Sequence, residues 1–69
     1  MALDIVALEN VIEKSGMKRG AIAKDLKMSA SQFSQKANGS RRFTIEEALK
    51  MADLFDLSLA DFKKLWKGN

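Results

Sequence analysis

The chain has 69 residues and not one proline, and its apolar side chains return every three or four positions. That period is the signature of amphipathic helices, and no residue type that breaks helices outright interrupts it. Five helical segments can be marked. The first runs from Asp4, a plausible N-cap, to Ser15, with Ile5, Leu8 and Ile12 on one face and Val11 widening it. Gly16 then suits the left-handed residue that ends many helices. The second covers about Arg19 to Leu26 and buries Ile22, Ala23 and Leu26. A turn at Lys27 and Met28 leads to the third, about Ala30 to Asn38. Ser29 is its N-cap, and Gln32 three residues later completes the spacing of a capping box. Asn38-Gly39 stops this helix, and Ser40-Arg41-Arg42 forms a loop. The fourth helix opens on a second capping box, Thr44-Ile45-Glu46-Glu47, with Ala48, Leu49, Ala52 and Phe55 on its buried side, and ends near Asp56. A short fifth helix starts at Ser58 and carries Leu59, Phe62, Leu65 and Trp66. The expected fold class is all-α: a compact five-helix unit in one domain spanning 1–69.

Such a domain is small. A chain of this length buries only about 60% of the surface its unfolded form exposes. With no cysteine there is neither a disulfide nor a thiolate-bound metal to reinforce it. Close helix packing, self-association or both must supply the stability. The same composition argues against an enzyme. Histidine, cysteine and tyrosine are all absent, which removes the usual neutral-pH base, the thiol nucleophile and the phenol. The carboxylates lie scattered between lysines, as on a solvated face. No cofactor, no metal and no small-molecule substrate is expected. The N-terminal run MALDIVALENVIEK has acids inside it and no basic leader, unlike a signal peptide. No apolar run approaches the roughly 20 residues of a membrane span. A cytoplasmic protein is the expectation.

The formal charge of +3 is modest, but it is unevenly placed. Residues 17–42 carry Lys18, Arg19, Lys24, Lys27, Lys36, Arg41 and Arg42 against Asp25 alone, while the segments on either side are slightly acidic. A basic block of this kind attracts a polyanion, of which nucleic acid is the commonest. Charge alone would equally suit a solvated surface. Its neighbourhood makes the difference. With Ile22, Ala23, Leu26, Met28 and Phe33 locking the second helix to the third, one side of the third stays polar: Ser29, Ala30, Ser31, Gln32, Ser34, Gln35 and Asn38. These short or amide side chains suit a helix facing base edges, which offer donors, acceptors and thymine methyls.

The string I-A-x-x-L-x-M-S-x-S-x-F-S-x-K-x-N-G followed by F-T-x-x-E-A resembles the Cro/repressor-type (XRE-like, lambda-repressor-like) helix-turn-helix proteins of temperate phages and bacteria. The resemblance covers roughly residues 5–62, with the motif at about 19–38. It implies a lambda-repressor-like domain whose third helix enters the major groove of double-stranded DNA with its N-terminal residues at base edges. Carried over by position, Ala30, Ser31 and Gln35 lead the base reading, with Ser29, Gln32 and Ser34 on the rim. Gln35 is the discriminator, since its amide can contact adenine bidentately. Lys18, Arg19, Asn38, Arg41 and Arg42 fall where such proteins grip the sugar-phosphate backbone. The resemblance also implies a near-palindromic operator and a weak homodimer. Three residues depart from the pattern. Lys27 stands where the turn usually has glycine, Gly20 weakens the start of the second helix, and Lys36 replaces an apolar residue, so that Ala37 must supply the inward contact. Two functions remain open at this point. One is a sequence-specific transcriptional regulator, Cro-like or a short repressor. The other is a protein-binding module, such as an antitoxin or anti-repressor, on the same helical frame.

Overall fold

The computed structural model describes residues 2–67. Its elements run β1 (Ala2–Leu3), α1 (Ile5–Ser15), α2 (Arg19–Asp25), α3 (Ala30–Ala37), α4 (Ile45–Leu54), α5 (Leu59–Lys64) and β2 (Trp66–Lys67). Helices therefore dominate, and their number, order and ends are close to those expected from the sequence. The additions are the two short strands, which pair antiparallel with Leu3 opposite Trp66. Beside them the Asp4 N–H donates to the Leu65 carbonyl at 2.7 Å.

Local chemistry explains where the helices start. Asp4 accepts the Ala7 N–H at 3.2 Å, and Ser58 accepts the Asp61 N–H at 3.1 Å. Ser29 with Gln32 and Thr44 with Glu47 each form the full reciprocal box, so the donors left over at a helix start find acceptors. The ends of α2 and α4 share one device. Met28 donates back to Ala23 and Lys27 to Lys24; in the same way Leu57 donates to Ala52 and Asp56 to Asp53. This is the Schellman closure, and it puts Lys27 and Asp56 in the left-handed region at φ 58° and 52°. Lys27 thus keeps the turn geometry that glycine would normally provide. At the end of α3 the left-handed residue is a glycine, Gly39, at φ 87°, where a Cβ would also press to 3.2 Å from Ile5 Cδ1.

The core gathers Leu8, Ile12, Ile22, Ala23, Leu26, Phe33, Ala37, Met51 and Leu65. A line of edge-to-face aromatic contacts, Phe33 to Phe43 to Trp66 to Phe62, joins it to the strand pair. Three expectations need correction. Leu49 is not buried but 57% exposed, and Met51 is the fully buried residue of α4; Leu59 is 68% exposed. Ile5 lies at the rim of the core rather than inside it. Trp66 belongs to β2, not to the fifth helix. On the helices the apolar stripe is wider than the surface that neighbouring elements cover, and cross-chain packing chooses the flank; Trp66 instead pairs with Leu3 as a strand. No helix among the described residues is long and apolar enough to cross a membrane.

Candidate nucleic-acid interface

α2 packs on α3 through Ile22, Ala23, Leu26 and Phe33, all buried, with Met28 half-buried at the turn. On a helix turning about 100° per residue, fixing Phe33 and Ala37 inward sets everything else. Ser31 and Gln35, four apart, project directly away from the core; Ser34 and Asn38 flank them, and Ala30 lies at the shoulder. All are exposed, as are Ser29 and Gln32. The face expected to be polar and outward is polar and outward.

Its residues are not equally free. Ser29 Oγ accepts the Gln32 N–H at 3.1 Å, and Gln32 Oε1 accepts the Ser29 N–H at 3.0 Å. Both oxygens are thereby committed to the cap, which leaves the Gln32 NH2 and the Ser29 hydroxyl hydrogen for other partners. Asn38 Oδ1 accepts the Ser40 N–H at 2.9 Å and shapes the loop that follows, so only its NH2 is left to donate. Ser31, Ser34 and Gln35 make no side-chain hydrogen bond among the described residues. Gln35 therefore keeps its whole amide, one donor end and one acceptor end.

No family model, no curated protein and no solved structure matches this chain.

Five of the seven cations of residues 17–42 fall into three groups. Lys18 is the N-cap of α2 but supplies no side-chain cap, so the N–H groups at this helix start lack a side-chain acceptor. Arg19 beside it lies 3.7 Å from Glu9 of α1, both side chains about half exposed. A pair of that kind in water contributes little, and it leaves most of the guanidinium fork available. Arg41 and Arg42, past the end of α3, are exposed and carry no ion pair among the described residues. Basic groups thus lie at the start of α2 and beyond the end of α3, and the polar face of α3 lies between them in the chain.

Lys36 is different. Its Nζ donates to both carboxylate oxygens of Glu47, at 2.6 and 2.7 Å, with both side chains largely shielded. Glu47 also accepts the Thr44 N–H at 2.9 Å. Burial raises the Glu47 pKa, but the hydrogen bonds from Lys36 and Thr44 and the charge of Lys36 outweigh it and hold the carboxyl below its ordinary value. One acid therefore caps α4 and clamps the last turn of α3 to it. Sequence spacing marked Lys36 only as a residue out of pattern. Its partner lies 11 residues away across a loop, a separation with no helical period to reveal it. No group of three or more acidic, histidine or cysteine side chains able to hold a metal occurs among the described residues.

Proposed function

We propose that this chain is a sequence-specific DNA-binding transcriptional regulator, Cro-like or a short repressor, built as a lambda-repressor-like helix-turn-helix domain of the XRE type. α2 and α3 form the motif, and α3 inserts into the major groove of a near-palindromic operator. The observation that carries this reading is the outward face of α3. Ser31, Ser34 and Gln35 stand exposed with no side-chain hydrogen bond among the described residues, backed by a buried Phe33 and Ala37, and Arg41 and Arg42 beyond the helix end carry no ion pair among those residues. Short side chains let the helix approach base edges closely, and an uncommitted amide can hydrogen-bond to adenine.

In this reading Gln35 and Ser31 read bases, with Ala30 against a thymine methyl and Ser34 at the margin. Ser29 and Gln32 add their remaining donors. Lys18, Arg19, Asn38, Arg41 and Arg42 hold phosphates, and a phosphate at the start of α2 supplies the acceptor that Lys18 does not. So few base contacts make DNA shape part of the specificity. Two copies act together on the operator, weakly associated through surface apolar residues such as Leu59. The protein acts by occupying a promoter and performs no reaction.

The test is retention of duplex DNA against salt. Each phosphate contacted should contribute about −0.9 to the log–log slope. A flat profile would reject the proposal and favour a module that binds protein.

A further inference from the structure

On the side of the molecule formed by the loop after α3, α4 and the strand pair lies a groove of about 460 Å³. That is within the range of small-molecule sites, about 300–1,000 Å³. Its walls are Phe43, Ile45, Leu49, Phe62 and Trp66. Ile45 is 79% and Leu49 57% exposed, an unusual outlay of aliphatic surface for a domain with so little core. At its rim stand Arg41 and Arg42, and no acidic residue among the described ones lines it. The Trp66 ring forms part of the same wall. Apolar walls and two arginines, with no ion pair to either and no lining carboxylate among the described residues, define one kind of occupant.

We infer that this groove binds a small free organic anion with an apolar body, an aliphatic or aryl carboxylate. The body lies against Ile45, Leu49, Phe62 and the Trp66 ring. The carboxylate takes charge-assisted hydrogen bonds from Arg41 and Arg42. Because the same arginines hold phosphate in the DNA-binding reading, the ligand competes with DNA for them and acts as a releasing effector. That regulatory step rests on the proposed function; the binding site does not.

The chain has a single tryptophan, and it lies in this wall, so the site reports on itself. The full chain is titrated with decanoate below its micelle-forming range while Trp66 emission is followed. One saturable shift is expected, with decanoate binding about tenfold tighter than decanol, the same body without the charge. The doubly substituted Arg41→Gln, Arg42→Gln protein should lose that preference. Leu49→Glu, a change at an exposed helical position, should abolish saturation with the circular dichroism spectrum unchanged. Equal affinity for decanol and decanoate would overturn the inference. So would the lack of a saturable shift, or emission that moves with protein concentration alone, which would mean that a second copy fills the groove. Saturating decanoate should then release a labelled duplex. A duplex held just as tightly would overturn the effector role, whereas a saturating Trp66 titration in a protein that holds no duplex would keep the site and reject the DNA-binding reading.

Discussion

Lys27 sits at φ 58° in the turn between α2 and α3, where a side chain of its kind pays about 1–2 kcal/mol for the left-handed conformation. The two Schellman bonds across the turn hold it there. Lys27→Gly should therefore raise stability, by about 1 kcal/mol once the extra chain entropy of glycine is subtracted, read as a higher urea midpoint. Asp56→Gly, at the equivalent place after α4, should gain less, because aspartate tolerates this region better. A fall in the Lys27→Gly midpoint would show that the ammonium makes a compensating contact. At the same scale, Gln35 has both ends of its amide uncommitted. Gln35→Ala should relax preference at one base position by roughly 1–3 kcal/mol and leave the fold alone. Unchanged preference in a selection from random DNA would move the reading register to a neighbouring residue.

Among the elements, the joint between α3 and α4 matters most, since it fixes where the polar face points. Glu47 joins them by accepting from Lys36 and from Thr44 at once. Its carboxyl titrates lower in the folded chain than in the unfolded one, so its contribution is complete above the unfolded value of about 4.3. That contribution is lost as pH falls through the lower, folded value. Glu47→Gln should cost roughly 1–2 kcal/mol at neutral pH and flatten the acid side of the stability profile. Equilibrium denaturation at several pH values measures both. If the substituted and parent chains lose stability in parallel on acidification, another carboxylate is responsible. Thr44→Ala, which removes only the hydroxyl half of the box, should cost about 1 kcal/mol and weaken the acid response only slightly, since the Thr44 side chain is the smallest of the influences that lower the Glu47 carboxyl.

For the molecule as a whole, the charge asymmetry outweighs the net charge. Arg19→Ala should weaken binding to every DNA sequence about equally and reduce the salt slope by about one contact, a pattern opposite to that of Gln35→Ala. Comparing the two on one operator and one unrelated duplex separates grip from reading. An inverted repeat enriched from random fragments would report the paired copies and their half-site spacing together.

Much of this organisation is legible in the sequence because it is local. Helix starts depend on a serine, threonine or aspartate and a partner three residues on, so all of Asp4, Ser29, Thr44 and Ser58 could be read directly. The outward face of α3 was equally legible, since Phe33 and Ala37 fix it by period alone. Burial on the wider stripes was not. α4 and its C-cap offer Ala48, Leu49, Met51, Ala52 and Phe55, more apolar surface than the neighbouring elements cover, and only docking decides that Met51 goes in and Leu49 stays out. Trp66 reads as one more position of a helix until the far end of the chain, at Leu3, pairs with it as a strand. Contacts made within four residues obey rules that a sequence states outright. The clamp of Lys36 on Glu47, the strand pair and the groove beside Arg41 and Arg42 join residues from different segments of the chain, and nothing in their spacing could announce them.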